Sequence, residues 1–266
     1  MGRGIAQTFA AAGHNVLVFD ISPDFVEKGI GTIAAGLEKR VAKGKMTAEA
    51  AAEITGRICP GKDEDLAETD LVIECVPETL EAKRGLFLKL DPVLKEDAVF
   101  ATNTSSLSVT AIGAGLSHPV IGMHFFNPVP AMKLVEVIAG LTTPGELTER
   151  FRELSEELGK TPVTVKDAPG FVVNRILIPM INEAVCVYAE GTASAEDIDT
   201  AMKLGANHPM GPLALGDLIG WDVVLHIMDT LLAETGDPKY RAHFLIRTMV
   251  RAGKLGRKSG QGFYSY

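Results

Sequence analysis

The chain has little cysteine, few aromatics and no excess of positive charge. Its three cysteines, Cys59, Cys75 and Cys186, are odd in number, scattered and without metal-ligand spacing. That excludes a disulfide framework and a cysteine-held metal, and points to a reducing compartment with free, mostly buried thiols. No stretch reaches the roughly 18 uninterrupted apolar residues of a membrane helix. The apolar start, Met1 to Ala6, is too short for a secretory signal and is broken by Gln7. A myristoylation pattern fails because Ala6 stands where Ser or Thr is required. Asn103-Thr104-Ser105 matches a glycosylation acceptor, a chance match in a chain with no export signal. The formal net charge of −8 argues against a nucleic-acid surface spread over the whole protein. The expected location is cytoplasmic, with no membrane or nucleic-acid partner and no metal. What is present, 46% hydrophobic and 23% charged residues in 266, is enough to bury the core of one large domain or two modest ones.

Periodicity divides the chain into two textures. A helix over about Gly2–Ala12 stops at Gly13. Asn15 to Phe19 is a continuous apolar run ending in Asp20, as suits a strand buried on both faces of a parallel sheet. A helical stretch follows from about Pro23 to Ile54, with a break near Gly44. Further strands are read at Leu71–Val76, Ala98–Thr102, Val120–Met123 and Leu134–Ile138. This alternation implies a doubly wound, mostly parallel sheet. The polar punctuation Lys166-Asp167-Ala168-Pro169-Gly170 marks a boundary, giving an α/β domain over 1–168 and an all-α domain over 169–266. The second domain opens with Phe171–Glu190, apolar nearly all round with Pro179 as an expected kink, and Ser194-Ala195-Glu196-Asp197 signals the next N-terminus.

Several residues carry chemistry, each with a plainer alternative. Met1-Gly2-Arg3-Gly4-Ile5-Ala6 before a strand ending in Asp20 matches the tail of a dinucleotide fingerprint. Gly2 is then its last glycine, and Asp20 the acid that accepts the ribose hydroxyls and favours NAD over NADP. The same residues also fit an ordinary βα turn. His124 lies just past a buried strand at the carboxyl edge where open α/β sheets bind ligands, and Glu136 interrupts an apolar strand, where a carboxylate needs a partner. An imidazole oriented by a carboxylate is a proton acceptor near neutral pH; a backbone-satisfied histidine and a solvated glutamate are the alternative. Asn103-Thr104-Ser105-Ser106-Leu107 also follows a strand, and one of its serines is expected to cap the next helix. Asn174, an amide in an apolar helix, must bond a ligand or a neighbouring backbone group. Lys39, Arg40, Lys43 and Lys45 form either a solvated helix face or a site for an anionic substrate. The glycine-rich tail, Gly256 to Tyr264, either brings Lys258 to a cofactor or finishes the fold.

Taken in order, these segments resemble the L-3-hydroxyacyl-CoA dehydrogenase family, in particular its short-chain 3-hydroxybutyryl-CoA branch, from Met1 to Tyr266. The resemblance rests on His-Phe-Phe-Asn-Pro-Val-Pro at 124–130, Ala-Pro-Gly-Phe-Val-Val-Asn-Arg at 168–175, Asp-Thr-Ala-Met-Lys-Leu-Gly at 199–205 and Pro-Met-Gly-Pro at 209–212. It implies a Rossmann-type NAD domain followed by a helical domain that dimerises, acting on acyl-CoA in fatty-acid and butanoate metabolism. It implies His124 as general base oriented by Glu136, with Ser105 and Asn174 at the reacting acyl group. Gly2, Asp20, Glu78, Lys83, Ser105, Asn127 and Lys258 then touch the dinucleotide, and Lys43 and Lys45 the coenzyme A phosphates. The departure is at the N-terminus. The family places a strand and a glycine loop before the position of Met1, so the expectation is an NAD domain lacking its first strand. Two rivals stand beside this reading. A non-catalytic relative would show no acetoacetyl-CoA-dependent NADH oxidation, and a dehydrogenase of free 3-hydroxy acids would need no thioester.

Overall fold

The computed structural model describes Met1 to Tyr266. Helix α1 (Gly2–Ala11) ends where the sequence places its stop: Gly13 turns left-handed at φ +101°, and the His14 amide reaches back to the Phe9 carbonyl at 3.1 Å. This is the backbone conformation that glycine adopts without penalty at a helix end. Strand β1 (Val16–Val18) follows, then helices α2 (Pro23–Ala42) and α3 (Ala48–Gly56), separated at the expected break around Gly44. Next come β2 (Ile58–Pro60), β3 (Leu71–Glu74), α4 (Leu80–Leu90), β4 (Val99–Thr102), α5 (Val109–Gly113), β5 (Val120–Phe125), β6 (Leu134–Ala139), α6 (Gly145–Glu157) and β7 (Thr161–Lys166).

The mostly parallel arrangement holds, with one exception and in two pieces. Strands β1 and β2 form a two-stranded parallel sheet, and β3-β4-β5-β6-β7 a five-stranded one in which only β5–β6 is antiparallel. Helix α1 underlies both: its Ile5 and Phe9 share one core with Val16 of β1 and with Leu71 and Ile73 of β3. The expectation that β1 is buried on both faces fails. Val16 and Val18 pack against helices α1, α2 and α3, whereas Leu17, on the opposite face, is 39% exposed and Phe19, just past the strand, 45%. Two strands escape the sequence reading, β2 and β7. Each contains a proline (Pro60, Pro162) that argues against an interior strand, and each lies at the edge of its sheet, where a missing N–H costs no ladder bond. The expectation of mostly buried thiols also fails: Cys59 is exposed in edge strand β2, and Cys75 and Cys186 are half-buried.

Contacts divide the chain into two units, Met1–Asp167 and Ala168–Tyr266. The second is helical: α7 (Val173–Ala189), α8 (Ala195–Gly205), α9 (Pro212–Ile219), α10 (Trp221–Thr235) and α11 (Phe244–Arg251). Pro179 sits inside α7 without ending it. Ser194 caps α8 as read, its hydroxyl accepting the Asp197 amide at 3.1 Å. The core gathers Ile178, Ile181 and Val185 of α7 around Trp221, Val224 and Leu231 of α10. α7 therefore buries one face here, and Ile176 on another face is 69% exposed.

Candidate active site

Antiparallel pairing of β5 with β6 places His124 directly opposite Glu136. Opposed residues of an antiparallel pair project from the same face, so the register brings the two side chains together. His124 Nδ1 lies 2.7 Å from Glu136 Oε2. Both are buried, His124 at 5% exposure and Glu136 at 1%. His124 falls inside strand β5 rather than just past it, one residue from its end. A carboxylate on Nδ1 fixes the tautomer in which that nitrogen carries the proton, and proton exchange falls to Nε2.

A second pair shows what distinguishes this one. His118 Nδ1 meets Asp91 Oδ1 at 2.7 Å and its Nε2 meets the Lys95 carbonyl at 2.9 Å. Two acceptors on two ring nitrogens favour the imidazolium: burial pulls the His118 pKa down, but these hydrogen bonds and the Asp91 charge raise it on balance. That histidine precedes β5 at the opposite end of the strand and ties the loop to α4's end, a structural duty.

The residues after β4 form the other wall. Asn103 Oδ1 accepts the Phe125 amide at 2.9 Å, which ties this loop to β5 beside His124. Glu78 Oε1 accepts the Ser105 amide and the Thr104 hydroxyl at 2.6 Å each, the Ser106 amide at 3.1 Å and the Ser105 hydroxyl at 3.1 Å. Burial pushes the Glu78 carboxyl upward, but the Lys83 charge and these bonds outweigh it and hold it below the ordinary range, so it is ionised at neutral pH. Capping of the next helix falls to neither Ser105 nor Ser106. Ser108 caps α5, its hydroxyl accepting the Ala111 amide at 3.1 Å.

The other expected site residues are placed as follows. Gly2 opens α1 beside Cys75, the residue after β3: a Cβ at Gly2 would stand 3.6 Å from the Cys75 Cβ, an ordinary van der Waals contact. Asp20 is exposed past β1, one carboxylate oxygen accepting the Ile21 amide at 2.8 Å. Asn127 is exposed and lines a recess with Arg3, Gly4 and Val129. Lys83 is buried at 1% exposure, its ammonium between the carboxylates of Glu74 and Glu78. Lys43 and Lys45 are exposed just beyond α2. In the helical unit, Asn174 is buried in the first turn of α7, and Lys258 Nζ bonds Asp222 Oδ2 at 2.6 Å. Cys75 is no nucleophile, because burial and the charge of Glu74 push its thiol up to about 12. Glu74, Thr102 and Asn103 are the participants that the sequence reading passed over. Glu74 carried the same signal as Glu136, a carboxylate within an apolar strand.

Two family models cover the chain: "3-hydroxyacyl-CoA dehydrogenase, NAD binding domain" over residues 1–168 and "3-hydroxyacyl-CoA dehydrogenase, C-terminal domain" over 170–266. The chain is similar to a 3-hydroxybutyryl-CoA dehydrogenase of Clostridioides difficile, 54% identical over all of this chain and 96% of that one. It is similar to the human mitochondrial hydroxyacyl-coenzyme A dehydrogenase at 42% identity, over all of this chain and 88% of the relative. Among solved structures, the (S)-3-hydroxybutyryl-CoA dehydrogenase of Ralstonia eutropha superposes with a TM-score of 0.95 at 49% identity, covering all of this chain and 95% of that one.

Proposed function

The chain belongs to the 3-hydroxyacyl-CoA dehydrogenase family, and from that premise we propose that His124, oriented by Glu136, is the proton acceptor and donor of an NAD-dependent interconversion of 3-hydroxyacyl-CoA and 3-oxoacyl-CoA. The observation that carries this reading is the 2.7 Å His124–Glu136 bond at the end of β5, beside the loop that holds Ser105. The residues present fit the dinucleotide. Asp20 offers an exposed carboxylate beyond β1, and the first turn of α1 has no acidic residue and no side-chain cap, so its amides suit a phosphate. Asp20, Glu78, Ser105 and Asn127 would hold the cofactor in the first unit, with Gly2 at the start of α1. Bound there, NAD supplies the hydride acceptor. In oxidation His124 Nε2 removes the proton of the C3 hydroxyl, and Glu136 stabilises the imidazolium that results; in reduction the imidazolium returns that proton. In the first unit Ser105 is a hydrogen-bonding group for the acyl oxygen, and Lys43 and Lys45 are the contacts for the coenzyme A phosphates. Lys83 acts through its carboxylate partners.

The short-chain substrate, a cytoplasmic location and a place in butanoate metabolism belong to the same proposal, supported by the similarity to 3-hydroxybutyryl-CoA dehydrogenases. No helix is long and apolar enough to cross a membrane. The test is NADH oxidation that depends on acetoacetyl-CoA. Equal rates with free acetoacetate would transfer the activity to free acids, and no rate with either would leave a non-catalytic relative.

Three results are expected to accompany it. Glu136→Gln keeps a hydrogen-bonding group but removes the charge that stabilises the imidazolium formed in turnover, so kcat should fall with the KM for NADH little changed. Wild-type turnover would mean that the pair is not coupled in the reaction. NADH should be preferred over NADPH because Asp20 repels a 2′-phosphate, and Asp20→Ala should narrow the gap in kcat/KM. Equal use of both cofactors by the wild type would count against that assignment. The helical unit exposes Leu204 at 82%, Ile176 at 69% and Phe244 at 68%, large apolar side chains that a second copy of the unit would cover. A homodimer through this unit should therefore sediment at micromolar concentration, and a monomer would refute it.

A further inference from the structure

Glu74 interrupts the apolar strand β3 as Glu136 interrupts β6, but no role has been assigned to it. Its side chain is buried at 2% exposure. A buried carboxylate is retained only where donors converge on it, and here they do. Lys83 Nζ bonds both oxygens, at 2.8 and 2.9 Å, the Val76 amide donates to Oε2 at 3.1 Å, and the Thr102 hydroxyl donates to Oε1. The same ammonium reaches Glu78 Oε2 at 3.2 Å. Glu78 turns its other oxygen to the amides and hydroxyls of Thr104, Ser105 and Ser106. Two carboxylates thus share one ammonium, and the loop's donors offset the surplus negative charge. For stability alone, apolar side chains of similar volume would serve as well or better. A network of this kind is suited to holding one geometry.

We propose that Glu74 is a positioning residue for the reaction: it holds Lys83, Lys83 holds Glu78, and Glu78 sets the Ser105 loop beside His124. The chain of contacts is complete on both sides. Thr102, the last residue of β4, bonds Glu74, and Asn103, the next residue, bonds β5 at Phe125. Release of Glu74 therefore frees the loop at its base. This inference rests on the reading of Ser105 as a contact of the acyl group. The relay itself is a property of the protein without ligand.

The experiment compares wild type, Glu74→Gln, Lys83→Met, Thr102→Val and Glu74→Gln/Lys83→Met by two readouts. One is amide hydrogen exchange of the segment 103–107 in the ligand-free protein. The other is steady-state kinetics with acetoacetyl-CoA and NADH. Glu74→Gln should raise exchange in 103–107 while β5, β6 and the helical unit keep wild-type protection. Turnover should fall by roughly 10- to 100-fold, the scale of a small misplacement of a reacting group, and the KM for NADH should rise with it, because Glu78 and Ser105 are also the cofactor contacts of the proposed function. Thr102→Val, which removes one hydroxyl, should act in the same direction more weakly and decides the matter if Glu74→Gln does not fold. The double variant should be no slower than Lys83→Met alone, because residues of one relay are not additive. Unchanged exchange in 103–107 overturns the proposal, as does a loss of thermal stability with normal turnover. If the wild type shows no acetoacetyl-CoA-dependent rate, the functional reading fails, and the exchange measurement still decides the relay.

Discussion

Replacing His124 by alanine should lower turnover by about 10²–10⁴, the range for removal of a general base, with little change in the affinity for NADH. The expectation follows from the register of two strands. His124 and Glu136 face each other across β5 and β6, so the imidazole is held by the sheet and not by a mobile loop. Its removal leaves Glu136 in place at 1% exposure without its ring partner. A carboxylate left in that cavity cannot replace the imidazole as proton acceptor, because it sits on the far side of the ring from the reacting hydroxyl. His124→Gln is the second variant. It restores a hydrogen-bond donor to Glu136, but its amide neither takes up nor releases a proton near neutral pH, so it should recover thermal stability but not turnover. The measurement pairs steady-state rates with NADH fluorescence titration and a thermal melt. Turnover within a few-fold of wild type for either variant would remove His124 from the chemistry. Turnover restored by glutamine would make the residue a structural partner of Glu136.

The residues alone offered this pair as one of two readings, a carboxylate inside an apolar strand and a histidine at the end of another, and the resemblance chose between them. The same signal at Glu74 was passed over because its partner, Lys83, lies in a helix, where a lysine reads as surface. The resemblance alone assigns Lys83 to the dinucleotide; that its ammonium lies between two carboxylates was not legible, because that placement depends on the tertiary path of β3, α4 and the loop after β3. Helix stops and caps were legible, as at Gly13 and Ser194, because a cap is a contact among neighbours in the chain. Strands β2 and β7 were not. Edge position makes a proline harmless there, and edge position is set by the sheet. The exposure of β1 was illegible for a related reason, since an apolar run reads as doubly buried whether or not both faces of its strand are covered.

The glycine-rich tail left two roles open, and the structure connects it to Asp217. That aspartate lies in α9 at 1% exposure. Its Oδ1 accepts the Trp221 indole N–H at 2.5 Å and the Phe263 amide at 2.9 Å; its Oδ2 accepts the Tyr264 amide at 2.9 Å and the Tyr266 hydroxyl at 3.1 Å. Gly262 permits this approach, because a Cβ there would stand 1.8 Å from the carboxylate. Phe263 then packs against Trp221 and Tyr188, with ring centroids 5.0 Å away in each case. Asp217→Ala should therefore cost about 3 kcal/mol or more. Each buried donor left without an acceptor costs about 1–3 kcal/mol, and the sum is limited because the tail can lift away and hydrate. That is a large share of a net stability of roughly 5–15 kcal/mol. Detachment of the tail also uncovers Trp221, so the loss of packing adds to the loss of hydrogen bonds. A conservative Asp217→Asn should cost less, since its remaining carbonyl still accepts from two donors, while its NH2 opposes the rest. Urea unfolding gives the energies, and limited proteolysis of the segment 253–266 reports whether the tail has lifted. A fall in stability with the tail still protected would place the role of Asp217 within α9 and α10 alone. Wild-type stability and protection together would refute the account of the tail.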